Sequence, residues 1–96
     1  MNYLNKIELA GVVGVARTQE VSGKVAVNFS LCVINDYGNA ISTEWFNCIY
    51  WTDAEGAKRI TKGAELHVEG RLSQTRYIDS EGNERSTYQV RVNKIY

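Results

Sequence analysis

Ninety-six residues suit one small domain and exclude a two-lobed enzyme with a cleft between its halves. Hydrophobic residues make up 44% of the chain, enough for a single core, and eleven Lys+Arg balance eleven Asp+Glu, so no global field favours nucleic acid or membrane. No apolar run is long enough to cross a bilayer, and Met1-Asn2-Tyr3 opens no signal peptide; with only two cysteines, the expected compartment is the reducing cytosol.

In chain order, Ile7, Leu9, Val13 and Val15 predict a long first strand that Gly11 and Gly14 let bend or bulge. Val25, Val27, Phe29, Leu31 and Val33 then share one face of a second strand, with Ala26, Asn28, Ser30 and Cys32 between them. The turn-rich stretch Asn35–Asn39 leaves it. A third run places Thr43, Trp45, Asn47, Ile49 and Trp51 on one face and Glu44, Phe46, Cys48 and Tyr50 on the other, completing a hairpin.

Thr52-Asp53-Ala54-Glu55 fits a capping box with Thr52 as the cap. It predicts a helix of about two turns to Lys62, stopped by Gly63 in the left-handed conformation and weakened by Gly56. Leu66, Val68 and Leu72 set the inner face of a fourth strand, and Asp79–Asn83 turns the chain. Tyr88, Val90 and Val92 are expected to line the inside of the fifth. The all-β order β-β-β-α-β-β, with one short helix between strands three and four, matches the five-stranded Greek-key barrel of the OB-fold, one domain over residues 1–96.

Catalytic signatures are missing. The single histidine, His67, lies in a strand pattern and cannot supply a His-based triad or a His-rich metal site alone. Cys32 and Cys48 have no CxxC spacing, and the glycines form neither a phosphate-binding loop nor a dinucleotide fingerprint. A non-enzymatic protein without metal or cofactor is expected.

The aromatics carry more information. Trp45 and Trp51 are six apart in a period-2 strand and project from one face; pattern alone leaves them divided between core bulk and a platform for unpaired bases. Tyr37 sits in a turn, where a large ring has little core to fill, and Tyr77 shares the parity of Arg71. Residues 71–96 hold five basic groups against three acidic ones, while residues 1–70 hold six against eight. That asymmetry fits either a solvated final hairpin or a phosphate-tracking strip beside the rings.

The chain resembles bacterial single-stranded-DNA-binding proteins along nearly its whole length. The similar segments are Asn5-Lys6-Ile7, Val25–Leu31, Thr43-Glu44-Trp45 and Lys62–Leu72, with Asp79, Gly82, Glu84 and Arg85 fitting the family's last hairpin turn. The resemblance implies that Tyr37, Trp45, Trp51 and Tyr77 stack on DNA bases and that Lys62 and Arg76 follow the phosphates. Arg71 joins them as a candidate contact, with Lys6 and Arg85 behind. It also implies sequence-tolerant binding of single-stranded DNA in replication, recombination and repair, a cytoplasmic, nucleoid-associated location and no membrane partner. The expected assembly is a homotetramer built partly through first-strand pairing, with a dimer second.

Several positions depart from the family pattern. The Asn35–Ala40 loop is short, Phe46 replaces a histidine common at the subunit contact, and Asn47 replaces a common basic residue. Thr52-Asp53 stands for a frequent Gly-Lys and puts an acid near the groove. The sequence closes at Tyr96 without the flexible linker and acidic tip that recruit replication partners, as expected either of a naturally short relative, such as a phage, mobile-element or primosomal form, or of a chain whose tail was removed, and that recruitment is unassigned. Two other functions stay open: a dimeric primosomal or replication-restart accessory contacting partner proteins, and an OB-fold protein-interaction module without DNA binding.

Overall fold

The computed structural model describes residues 3–96; Met1 and Asn2, the start of the stretch read as carrying no leader, lie outside the described residues. Five strands and one helical turn follow in the order β1 (Ile7–Val21), β2 (Lys24–Asp36), β3 (Ile41–Thr52), α1 (Ala54–Ala57), β4 (Glu65–Ile78) and β5 (Glu84–Ile95). They close into a barrel with the neighbour order β1-β2-β3-β5-β4, in which only the β3–β5 contact is parallel. The OB architecture expected from the pattern is the one observed.

β1 serves two partners, which explains its length and its bend. Its first half pairs with β4, from Ile7 opposite Gly70 to Val12 opposite Glu65, and its second half pairs with β2 as far as Val21 opposite Lys24. Between the halves, Val13 faces Leu31 and Ala16 faces Phe29, so three steps on β1 match two on β2. That is a β-bulge at Gly14-Val15, and the Ser30 hydroxyl accepts the Val15 N–H at 3.0 Å. The bulge reverses the in-out alternation beyond it. Val15, expected inside, is exposed, and Ala16 turns toward the core instead.

Alternating residues of all five strands fill the interior: Val13, Leu31, Cys48, Val68 and Val90 are each at most 1% exposed. Each large aliphatic chain so buried contributes roughly 1.5–3 kcal/mol of hydrophobic stabilisation. Phe46 and Tyr50 pack against this core from β3, on the face opposite the tryptophans.

The helix is shorter than its sequence suggested. Asp53, not Thr52, is the N-cap, with its Oδ1 accepting the Gly56 N–H at 2.8 Å, and regular helix ends at Ala57. Thr52 remains the last residue of β3, and its hydroxyl lies against Gly56, where a Cβ would meet it. The chain beyond α1 contributes Ile60, 3% exposed, to the core. Gly63, with φ of 88°, then turns it so that Gly63 N–H donates to Val13 C=O and Ala64 C=O accepts from Val13 N–H.

A second difference lies in the β4–β5 hairpin. Its outer half, paired from Ser73–Gln89 to Ile78–Glu84, leaves the barrel as a two-stranded ribbon. A ribbon without a covering layer has no inside, so Tyr88 is exposed rather than lining the core, and Leu72, at the ribbon's base opposite buried Val90, is exposed as well. At its tip Asp79 accepts the Glu81 and Asn83 N–H groups and pairs with Arg85 at 2.9 Å. The Arg85 guanidinium, with those backbone donors, holds the Asp79 carboxyl below its usual range. No helix among the described residues is long and apolar enough to cross a membrane.

Candidate nucleic-acid interface

Cross-strand register defines one outer face. On β3 it carries Trp45, Asn47, Ile49 and Trp51; the residues opposite them on β2 are Cys32, Ser30, Asn28 and Ala26. Arg17 of β1 faces Asn28, and Arg91 of β5 lies beside Ile49. The two tryptophans are 60% and 46% exposed, so neither is core bulk. Both sit on a rigid backing. A Cβ at Gly14 would fall 2.5 Å from the Trp45 ring, so the bulge glycine provides the flat bed on which that indole rests. Trp51 borders a recess with Gly23, Lys24 and Asp53 at the β1–β2 turn.

The remaining ring candidates frame this face. Tyr37, 69% exposed, stands in the β2–β3 turn, where its N–H donates to Ala40 C=O and Asp36 Oδ1 accepts the Gly38 N–H. Tyr77, 50% exposed, lies on the β4–β5 ribbon opposite Arg85 and shares a ribbon face with Thr75 and Thr87. Between ribbon and barrel runs an open recess of about 370 Å³, with Asn28, Ser30 and Asn47 on its floor, Arg17 on one side and Thr75, Thr87 and Gln89 on the other. Gln89 Nε2 donates to Asn28 Oδ1 at 3.3 Å across it.

The basic residues divide. Arg71 faces Arg91 directly across the β4–β5 ladder, and among the described residues neither has an ion-pair partner. Like charges placed opposite each other are unfavourable unless an anion lies between or above them. Lys62 follows α1, one residue before the Gly63–Val13 bond that ties this passage to β1 beside the Gly14 bulge. Arg76, by register, projects from the ribbon face opposite Tyr77 and lies 3.7 Å from Glu84. The structure therefore does not bring Arg76 to the ring-bearing side. Lys6 is engaged with Glu69 at 3.5 Å and Arg85 with Asp79.

Arg17 and Arg91 are on this face; the sequence pattern does not pick out Arg17, and Arg91 enters it only as one of the five basic groups of residues 71–96. Arg17 has the parity of the buried residues if β1 is counted straight through; only the bulge turns it outward. Arg91 had a usable signal, since it alternates with Val90 and Val92. His67 is held elsewhere, on the outer side of the β1–β4 pair, hydrogen-bonded to Glu8 and stacked on Tyr96 with 4.3 Å between ring centroids. Tyr96 donates its hydroxyl to Glu69, which lowers the pKa of that carboxyl and raises that of the tyrosine. No group of three or more His, Cys, Asp or Glu side chains gathers into a metal site among the described residues.

A closed five-stranded Greek-key barrel with an open, ring-bearing outer face on strands two and three, flanked by a projecting β4–β5 hairpin, defines an OB-type binding module. The profile of the "Single-strand binding protein family" matches residues 4–96, and the chain belongs to that family. Proteins named single-stranded DNA-binding protein from Rickettsia felis and Rickettsia typhi are each 30% identical over 100 residues, covering 91% of this chain; the chain spans 64% of their length. A solved structure of a Plasmodium falciparum SSB complex with ssDNA superposes with a TM-score of 0.83 at 20% identity, over 100% of this chain and 94% of that one.

Proposed function

We propose that the protein binds single-stranded DNA without catalysis, by stacking unpaired bases on the outer face of β3 and neutralising phosphates alongside it. The observation that carries this reading is the pair of tryptophans, 60% and 46% exposed on one face of a stiff barrel. Leaving two indoles in water is unfavourable for an isolated domain, and a base placed on each would offset that exposure. Trp45 and Trp51 form the central platform, with Tyr37 and Tyr77 at its margins. Arg71 and Arg91 supply paired positive charge at the Trp51 end, and Lys62 adds charge on the passage that docks beside Gly14.

Every base has a π-face, so such a platform accepts many sequences. Membership of the family and the relatives' names support single-strand binding itself; the role we propose for it is in replication, recombination and repair, in the cytoplasm, as an assembly of identical subunits. An outer recess of about 500 Å³, with Ala10, Val12, Cys32, Ile34 and Leu66 in its lining and Glu65, His67 and Tyr96 beside them, leaves partly apolar surface for a second copy to cover. The direct test is intrinsic fluorescence during titration with oligo-dT. Stacking quenches Trp45 and Trp51, whereas a protein-interaction module without DNA binding leaves the emission unchanged.

A further inference from the structure

We propose that the recess between β1–β3 and the β4–β5 ribbon receives one base turned out of the strand and selects guanine, with Arg17 on the O6/N7 edge and the amide oxygens of Asn47 and Gln89 on the N1/N2 edge. The inference rests on the single-strand-binding reading and adds base selectivity to it.

The recess measures about 370 Å³, within the size range of small-molecule pockets, roughly 300–1,000 Å³. It lies beside the Trp45 platform, since Ser30 borders it and also touches the Gly14 bulge on which Trp45 rests. Its lining is mixed and nearly uncharged: Val15, Phe29, Cys48 and Tyr88 supply apolar surface against which a base face can lie, and the polar side chains stand among them. Asn28, Asn47 and Gln89 offer amides; Ser30, Thr75 and Thr87 offer hydroxyls. Arg17 is the one charged side chain lining it, and it has no ion pair among the described residues.

That composition is poorly matched to a phosphate track, which needs several cations. It suits a base edge, which needs donors and acceptors at fixed positions. Only part of this capacity is used internally: Gln89 donates to Asn28, and Ser30 accepts from Val15. The Arg17 guanidinium, the Asn47 amide and the Gln89 carbonyl have no side-chain hydrogen bond of their own among the described residues. A guanidinium pairs bidentately with guanine O6 and N7 and with no other base in that way. Guanine then presents two donors, N1–H and N2–H, on its remaining edge, where the amide oxygens can accept. Arg17 and Asn47 stand two strands and two residues apart, roughly 12 Å between backbones. The long arginine arm narrows that span to the width of one base.

The test compares oligo-dT with the same oligomer carrying a single central dG, which cannot form guanine quadruplexes. Affinities are read by tryptophan quenching for wild type, Arg17→Lys, Asn47→Ala and Gln89→Ala. The proposal expects the dG oligomer to bind at least about fivefold more tightly to wild type, the lower bound for one bidentate contact. Arg17→Lys keeps the charge and loses the fork, so the dG-to-dT ratio falls to near one whatever happens to absolute affinity. Asn47→Ala on the barrel and Gln89→Ala on the ribbon reduce the ratio without depending on Arg17 substitution. Equal wild-type affinity for the two oligomers overturns the guanine site while leaving the stacking reading intact. A dG preference that survives all three variants also overturns it, by showing that ring stacking alone produces the preference. Binding to neither oligomer overturns the functional reading itself.

Discussion

Trp45 and Trp51 are two tryptophans on one strand face, each with an identifiable bed: the Gly14 backbone under the first, and the Lys24 and Asp53 neighbourhood beside the second. Because both are exposed, Trp45→Ala and Trp51→Ala each weaken oligo-dT binding by roughly 1–3 kcal/mol while the melting temperature stays near wild type. A folded variant that binds normally places the platform elsewhere. Asp53 has two effects in opposition. Its carboxylate caps α1, and its charge stands beside Trp51 where a phosphate would pass. Asn caps helices as well as Asp. Asp53→Asn is therefore expected to preserve stability and strengthen binding by up to about 1 kcal/mol at low salt, with the gain vanishing at high salt. Calorimetry and salt-dependent titration of the same variant check both halves. Cys48 sets an alkaline limit. Burial pushes its thiol from 9.0 up to about 12, so above 9.0 the unfolded chain has lost a proton that the folded protein still holds. Stability is intact below that value and falls as pH rises toward about 12. The Tyr96 hydroxyl, raised by its bond to Glu69, acts in the same direction. Thermal melts across this window show the decline, and Cys48→Ala removes the part that begins at the thiol.

Among the elements, the ladder pair Arg71–Arg91 separates binding from stability. Facing like charges weaken the β4–β5 pairing, and a phosphate above them would turn the same charges into a contact. Arg91→Ser is expected to leave the fold as stable as wild type or more so, and to make the salt dependence of oligo-dT binding shallower by roughly 0.7 in log–log slope. An unchanged slope excludes Arg91 from the phosphate path. The strands themselves were legible because period-2 alternation reports burial directly: Val27, Phe29 and Leu31 of β2 and Cys48 of β3 are buried as the pattern expects, although Ala26 is buried on the other face, and pattern alone placed Trp45 and Trp51 together without deciding that their face is the outer one. Three local features were not. The bulge at Gly14-Val15 shifts parity by one, and glycines mark that a bulge is permitted without marking where it falls; Arg17 was lost from the site for that reason. The cap passed from Thr52 to Asp53 because β3 runs one residue further than the capping box allowed, packing the threonine hydroxyl against Gly56. The ribbon turned Tyr88 out, with Leu72 exposed at its base, since sequence gives a strand's faces and omits whether a second layer covers either one; that Arg76 and Tyr77 point to opposite faces follows from the alternation itself.

For the molecule as a whole, the uncovered, partly apolar recess on the outer side of β1, β2 and β4 points to self-association. A tetramer is the expected state at micromolar concentration, with a dimer next; multi-angle light scattering that gives a monomer mass excludes both. Phe46 packs inward against the core here, so a contact that relies on the histidine common at this position must be made by other groups. The two tryptophans lie six residues apart on an extended strand, roughly 20 Å. They occupy unlike surroundings, one indole against the Gly14 bulge and the other bordering a recess it shares with Lys24 and Asp53. Unlike neighbours quench the two indoles to different extents. The protein therefore has a natural optical ruler: time-resolved fluorescence, without any attached dye, can report which end of the face an oligomer covers first.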